Sequence, residues 1–438
     1  VTQIHSQKDD GLTDSRVPNP QPGADSTPGT TDRPLRILIG GDTFSPDVNG
    51  SARFAEHLAS GLAARGHEVH VVAPSSKLPI GRHTEVYDGQ EITVHRLYSW
   101  RWYPHDWLTF ALPWRIKQNS ARIIDEVKPD VVHFQSHIII GRGLSDEAQK
   151  RGIRIVGTNH VMPENMLAFT GIPKFLQNWA IGLAWAAARR SFIRAEAVSA
   201  PTRRAADFFE KATGIGNVYA ISCGINVDNY VPDFTPRSEN RILFVGRVAG
   251  EKQIDVLLKA VQLLPADLDA QLEIVGGGDQ LKNLQAMAVQ LGIGDRTTFT
   301  GYVTEEELRR AYTRTTVFAM PSIAELQSIA TMEALASGLP VVAADAMALP
   351  HLVHDDENGY LFRPGDAQDL ADKLERILRL PQEELDTFKN ASLSVVAAHD
   401  IQRTLTTFEH LYRGEPVTDP AVVPPSAPGS KPGPDRVS

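Results

Sequence analysis

Apolar residues recur along this chain in two alternating rhythms. Short continuous apolar runs are separated by stretches in which apolar positions return every three or four residues. LRILIG (35–40) reads as a buried strand. The helix expected next runs from Ala52 to Arg65. It has Phe54, Leu58 and Leu62 on one face, Ser51 as its cap and Gly66 at its end. EVHVVAP (68–74) is the following strand. DVVHF (130–134), IRIVGT (153–158), AVSAP (197–201) and VYAIS (218–222) continue the alternation, with helical stretches between them. NYVPDFTPRSEN (229–240) breaks it with two prolines and little apolar content. RILFVGR (241–247) then restarts the rhythm. Strands over 271–278, 297–300, 316–321, 339–344 and 359–362 alternate with helices over 253–263, 280–291, 304–312, 329–336 and 366–380, the last capped by Asp366. Residues 382–413 are helical in pattern.

Strand–helix–strand repeats predict parallel sheets with helices on both faces. The chain is therefore expected to be α/β, with two doubly wound, Rossmann-like domains facing each other across a cleft. The first covers 34–228, a linker covers 229–240, and the second covers 241–414. Residues 1–33 and the Pro-rich 415–438 lack the large apolar groups that ordering requires and are expected to be disordered. Ligands in open α/β sheets bind beyond the carboxyl ends of the strands, so candidate chemistry belongs there.

Composition narrows the setting. Cys223 is the one cysteine, which excludes an internal disulfide framework and fits a reducing compartment. No apolar run reaches the roughly 18 residues of a membrane span. The best candidate, around Ala180 to Ala188, is cut short by Arg189 and Arg190. The N-terminus lacks the pattern of a signal peptide. A cytoplasmic location is expected. Charge divides unevenly: residues 34–230 carry 22 Lys and Arg against 18 Asp and Glu, whereas 231–438 carry 19 against 30. The first half is the better suited to an anionic surface.

Several strand ends carry reactive groups. PSIAELQSIATMEALASGLPVV (321–342) holds Glu325 and Glu333 with seven residues between them, at a loop-to-helix junction. A helix start offers unpaired N–H groups to an anion. GRVAGEK (246–252) places Arg247 and Lys252 after a strand, where a helix N-terminus would repel them unless an anion is bound. VGGGD (275–279) permits close backbone approach to a ligand. In the first half, His160 ends a strand and Gly50 ends a polar loop. His133, His137 and His160 have no metal-ligand spacing, so no metal site is read. No G-x-G-x-x-G follows the first strand, which argues against a nicotinamide dehydrogenase. Trp100, Trp102, Trp107 and Trp114 are interleaved with Arg101, Arg115 and Lys117, a mixture suited either to a membrane interface or to an acceptor-pocket wall.

Together these features resemble the retaining glycosyltransferases of family 4, which have the GT-B fold. The resemblance covers residues 35–412. It is carried by the E-x7-E of Glu325 and Glu333, by Arg247 with Lys252, by glycines 276–278, by His160 and by the loop ending at Gly50. It implies that the second domain binds a UDP- or GDP-sugar, with Arg247 and Lys252 on the diphosphate. Glu325 would bond the donor sugar and Glu333 the ribose. The amides of Ser328, Ile329 and Ala330 would cradle phosphate, Gly277 and Gly278 would floor the nucleotide, His160 would meet the transferred sugar, and the Gly50 amide would meet either a phosphate or that sugar. Catalysis would use Arg247, Lys252, Glu325 and His160, with no metal and no cofactor.

The run Leu326-Gln327-Ser328-Ile329 departs from many members, which have Gly at the position of Ser328. Its Glu-x-Gln element is similar to diacylglycerol glycosyltransferases, and the whole chain is also similar to mannosyltransferases that build phosphatidylinositol mannosides. The expected partners are thus a nucleotide-sugar, a lipid acceptor and an anionic membrane surface, the protein sitting on the inner face of the plasma membrane, with no nucleic acid. Sugar selectivity within this stretch is expected at Leu326-Gln327-Ser328. A soluble transferase making a small glycoside or polysaccharide, a sugar-nucleotide epimerase and a non-catalytic nucleotide-sugar binder are the alternatives. Base, hexose, linkage, acceptor and oligomeric state are open at this level.

Overall fold

The structure is a computed structural model that describes residues 33–47, 49–76, 78–101, 109–164, 174–417 and 422. The segments expected to be disordered, 1–33 and 415–438, fall almost wholly outside these residues, as do Trp102 and Trp107.

The first sheet has eight strands: β1 (Arg36–Gly40), β2 (Glu68–Pro74), β3 (Gly81–Tyr87), β4 (Gln90–Leu97), β7 (Val131–Phe134), β8 (Arg154–Thr158), β9 (Ala197–Ala200) and β10 (Tyr219–Ala220). A separate two-stranded ribbon supplies β5 (Ser99–Arg101) and β6 (Thr109–Ala111). The sheet order is β10-β9-β8-β7-β1-β2-β4-β3. All its pairings are parallel except β3 with β4. The β3–β4 hairpin is not foreseen above. Its signal is local: Asp88 and Gly89 sit at the turn with positive φ, the Asp-Gly pair that tight hairpins favour.

The first-domain helices are α1 (Gly50–Ala64), α2 (Ile116–Val127), α3 (Ile140–Lys150), α4 (Lys174–Phe192) and α5 (Arg203–Thr213). Strand β1 shows how the layers are set. Its side chains alternate, so Ile37 and Ile39 join the core that includes Phe54, Leu58 and Leu62 of α1, while Leu38 joins Ile140, Leu144, Trp185 and Phe192 on the other face. Helix α1 starts two residues earlier than the pattern implies. Asn49, not Ser51, is the cap, and its side-chain oxygen accepts from the N–H of Ala52 at 2.9 Å.

The second sheet is wholly parallel, in the order β13-β12-β11-β14-β15-β16. Its strands are β11 (Arg241–Val245), β12 (Gln271–Val275), β13 (Thr297–Gly301), β14 (Val317–Met320), β15 (Val341–Ala344) and β16 (Gly359–Phe362). The helices are α6 (Ile254–Leu263), α7 (Leu281–Gln290), α8 (Glu305–Thr313), α9 (Ile329–Ala336) and α10 (Ala367–Leu378), capped by Asp366 as its position implies.

The helical stretch 382–413 is two helices, α11 (Gln382–Ala397) and α12 (Ile401–Arg413), broken at residues 398–400. Helix α12 packs back on the first sheet's side. Tyr412 OH lies 2.7 Å from His133 Nδ1, and Phe408 stacks on the same imidazole at 5.1 Å between centroids. The chain thus passes between the sheets twice, near 222–230 and near 398–400. The two passes are bonded to each other. Ile225 N–H donates to the His399 carbonyl and Ile401 N–H to the Ile225 carbonyl, both at 2.9 Å. Among the described residues no helix is long and apolar enough to cross a membrane.

Among the described residues burial lowers seven histidines, His57 and His351 and, further, five more. His133, His160 and His399 are pushed down to about 3, and His95 and His137 to about 4. Each lies below its unfolded value, so between the two values the unfolded chain binds more protons. Stability is therefore complete above about pH 6.5 and is lost as pH falls below it, by up to about 1.4 kcal/mol per pH unit for each such group. The urea midpoint is expected to drop clearly between about pH 7 and pH 5, and less so in His137→Phe. A midpoint flat over that window would contradict the burial of these rings.

Candidate active site

The carboxyl ends of both sheets open on one cleft of about 760 Å³. Gly50, His160, Arg247, Lys252, Gly277, Glu325, Ser328, Ile329, Ala330 and Glu333 all line it. Gly278 does not. A Cβ on Gly278 would stand 2.1 Å from the Val248 carbonyl oxygen, so its missing side chain serves packing of one loop on another. Gly276 is held likewise: its φ is +128° and a Cβ would meet the Gly246 carbonyl oxygen at 2.0 Å. Gly277 lies under the exposed ring of Tyr302.

Strand β11 ends at Val245 and delivers Arg247 and then the short turn Gly250–Lys252. Arg247 pairs with Glu251, and Lys252 pairs with Glu325. The Glu251 carbonyl also accepts from the Ile323 N–H at 3.1 Å, so the cation loop and the carboxylate loop are one unit. Lys252 brings a positive charge to the base of the loop in which Glu325 stands. A second anion reaching Lys252 would share it with Glu325.

Helix α9 begins behind this pair. Ser328 is its cap, accepting from the Thr331 N–H at 3.3 Å. The N–H groups of Ile329 and Ala330 have no carbonyl within the helix to bond, which is the geometry that receives an anion. One turn further on, Glu333 is buried and lies 2.7 Å from the Tyr312 hydroxyl. Burial pushes its carboxyl above the ordinary range, against the opposing pull of Arg53, Tyr312 and Tyr230. Tyr312 and Tyr230 are raised in turn, chiefly by burial and next by the Glu333 charge, so both stay protonated and donate.

The opposite wall belongs to the first domain. Gly50 opens α1, and its Cβ position is 4.0 Å from Ile329 Cδ1. His160 packs on Phe54 at 4.7 Å between centroids, and its Nε2 has no hydrogen-bond partner among the described residues. Held neutral, that ring offers a hydrogen bond and no charge. Asp42 also lines the cleft, although nothing in the sequence singles it out. It accepts from the Ile140 N–H at 2.9 Å and from the Ser136 hydroxyl, and so anchors the start of α3.

Arg53 and the bonding partners of Gln327 escape sequence reasoning. Arg53 of α1 reaches across the cleft to Glu305 of α8 at 2.7 Å. Gln327 does not face a sugar with its amide. Its oxygen accepts from the Cys223 N–H at 2.7 Å and its nitrogen donates to the Ser222 hydroxyl at 3.0 Å. That hydroxyl lies 2.9 Å from His399 Nδ1. Gln327 thus fastens the Glu325 loop to both passes of the chain. Gln327 nonetheless lines the cleft with Leu326 and Ser328, the run in which sugar selectivity is expected. Its partners are 104 and 105 positions away in sequence, so no local spacing announces them.

Among the described residues one cluster, Glu56, His57 and Asp88, brings carboxylate and imidazole atoms of metal-ligating type within 4.8 Å of one another. Glu56 there neighbours Arg53, and Asp88 accepts from the Ser60 hydroxyl at 2.8 Å.

Residues 48–229 match the family model of Glycosyltransferase Family 4, and residues 232–393 match that of Glycosyl transferases group 1. The chain is similar to the sulfoquinovosyl transferase of Arabidopsis thaliana, at 26% identity over 76% of this chain and 64% of that one. It is 29% identical to the GDP-mannose-dependent alpha-mannosyltransferase of Mycolicibacterium smegmatis, over 75% of this chain and 84% of that one. Among solved structures, sucrose-phosphate synthase from Thermosynechococcus elongatus has the same fold, with a TM-score of 0.72 at 20% identity, covering 86% of this chain and 98% of that one. HepE of Anabaena, solved with UDP and glucose, gives 0.67 at 16% identity, over 87% of this chain and 100% of that one.

Packing at the cleft yields two expectations. Gly278→Ala drives a methyl into a carbonyl oxygen and lowers the thermal midpoint sharply, whereas Gly50→Ala, with open space around it, leaves the midpoint near the parent's. Gln327→Ala strands the Cys223 N–H and costs about 1–3 kcal/mol in urea unfolding. Equal midpoints for the two glycine variants, or no loss in Gln327→Ala, would contradict these contacts.

Proposed function

The chain is a glycosyltransferase with the GT-B fold, made of a family 4 domain and a group 1 domain, and on that premise we propose that it transfers a hexose, glucose or mannose, from a UDP- or GDP-sugar to a membrane lipid, with retention and without a metal. One observation carries this reading. A cation pair, a helix start, two glutamates and a neutral imidazole, drawn from stretches far apart in sequence, line a single cleft.

Each group has a role in the reading. Arg247 and Lys252 meet the diphosphate from one side and the N–H groups of Ile329 and Ala330 from the other. Glu333 bonds the ribose hydroxyls, and Tyr302 beside Gly277 is placed to stack on the base. Glu325, on Lys252, bonds the sugar hydroxyls, and His160 and Gly50 bound the sugar from the opposite wall.

As the bond from the anomeric carbon to the phosphate oxygen breaks, its electron pair stays on the phosphate. Arg247, Lys252 and the helix start stabilise that charge, the task a metal performs elsewhere. The acceptor hydroxyl oxygen bonds the anomeric carbon on the same face, and its proton passes to the departing phosphate oxygen. Atoms and charge balance without a protein nucleophile. The lipid acceptor is favoured by the resemblance to glycolipid-forming members. The enzyme would then act as a peripheral protein on the cytoplasmic membrane face.

The test is a panel of labelled UDP- and GDP-sugars offered with membrane lipids and with water-soluble acceptors. A labelled glycolipid whose anomeric configuration matches the donor's is expected, at a rate unchanged by a chelator. Label only in water-soluble products would overturn the lipid acceptor, and no transfer or donor hydrolysis from any donor would overturn the activity. Lys252→Ala and Glu325→Ala are expected to lower kcat by about 100-fold or more while folding normally. Wild-type rates would remove these residues from the mechanism.

A further inference from the structure

The apolar run around Ala180 to Ala188, too short to span a membrane, lies in α4. That helix is apolar on two opposite faces. Trp185, Ala188 and Phe192 point into the first domain's core. Phe175, Trp179 and Leu183 point outward, 82%, 66% and 51% exposed, and Ile193 just past the helix end is 60% exposed. At about 100° per residue, positions 175, 179, 183, 186 and 190 share one arc. Within it, Ala186 and Arg190 are exposed too. A helix that is apolar all round is ordinarily covered on every side. This one is covered on one.

We propose that the outward face of α4 is the surface by which the protein rests on an anionic phospholipid bilayer. The proposal builds on the lipid-acceptor reading and names the partner surface. Three observations point to a bilayer and not to another protein. First, residues 174–192 contain no Asp or Glu, and their last turn carries Arg189 and Arg190. Aromatic and aliphatic groups with cations and no acids suit the boundary between acyl chains and phosphate headgroups.

Second, the position is right. Helix α4 follows β8, so it begins at the carboxyl ends of the strands, on the cleft side, where Phe175 and Trp179 lie. The start of α2 lies at that same end of the sheet and belongs to the same helix layer. There Trp114 is 72% exposed, with Arg115 and Lys117 exposed beside it. Trp114 thus lies at the same end of the same layer as the exposed face of α4.

Third, the helix is joined to the cleft. Trp185, on the buried face of α4, donates from Nε1 to Glu164 at 2.9 Å. Glu164 ends the described part of the loop that carries His160, Val161 and Met162 into the cleft wall. Seating α4 on a lipid surface therefore sets the height of that wall above the bilayer. A lipid hydroxyl at headgroup level is brought to the side of the cleft where the acceptor must enter.

The experiment uses the full chain and sucrose-gradient flotation with vesicles of phosphatidylcholine, alone or with phosphatidylglycerol. The parent is expected to float with the mixed vesicles and much less with phosphatidylcholine alone. The triple variant Phe175→Ser, Trp179→Ser, Leu183→Ser is expected to lose about tenfold or more in vesicle binding. Its thermal midpoint, its donor-induced thermal shift and its transfer to acceptor dispersed in detergent should stay at parental values, while transfer to acceptor embedded in vesicles falls. Arg190→Gln should weaken binding to the anionic vesicles alone.

Equal flotation of parent and triple variant would overturn the proposal, as would a parent that stays in the bulk solution. A concentration-dependent dimer abolished by the same substitutions would also overturn it, assigning the face to a second copy. Should no nucleotide-sugar be turned over, the glycosyltransfer reading fails. Flotation still reports on α4 in that case, so the two failures are distinguishable.

Discussion

The cleft depends on how the chain passes between its two sheets. Two passes lie side by side, and the backbone bonds between Ile225 and residues 399 and 401 make them a single short ribbon. That ribbon is one of the ties that set how the two sheets face each other, beside those from Thr202 to the Leu326 carbonyl and from Arg204 to the Met347 carbonyl. Helix α12 carries it onto the first sheet, through Tyr412 on His133 and Phe408 on the same ring. Gln327 carries it into the donor-side loop, through Ser222 and the Cys223 N–H. These partners are buried, and a buried polar group with its partner removed is costly, so the geometry is strongly enforced. Gln327 bonds the carboxylate loop directly to this ribbon.

Electrostatics in the cleft follow from burial on one side and exposure on the other. Glu333 is surrounded by hydroxyl donors and by Arg53, which compensate a charge that burial disfavours. Lys252 and Arg247 are each paired with a glutamate. On the proposed reading, an incoming diphosphate would meet cations already oriented by carboxylates, not mobile ones that would have to be ordered on binding. Such pre-arrangement lowers the entropic cost of binding and leaves the charges aimed where negative charge grows during bond cleavage.

Much of this was legible from the sequence because it is local. Strand runs, the Asp366 cap, and the positions of Glu325, Glu333, Arg247, Lys252 and His160 at strand ends all follow from patterns a few residues long. The Asp88-Gly89 hairpin was equally local and passed unread. What resisted reading is long-range. Arg53 and Glu305 are 252 positions apart, and Gln327 meets backbone more than 100 positions away. Residue type and spacing do not say which distant carbonyl or amide an amide side chain will reach. The same holds for Gly278, whose neighbour Val248 is fixed only by the sheet register. It holds for Asn49 against Ser51 as well, where two acceptable caps compete and the entry angle of the loop decides.

The bridge from Arg53 to Glu305 has a kinetic meaning. It joins the two walls at the rim, with its partners 26% and 51% exposed. A pair so open to water holds by no more than about 1 kcal/mol and is weakened by dissolved salt. A fastening of that strength breaks and re-forms on every thermal fluctuation of the walls. It can bias the enzyme toward a narrowed mouth without ever becoming the slow step of a turnover. The rim tie is therefore a weak one, and the ionic composition of the surroundings sets its strength.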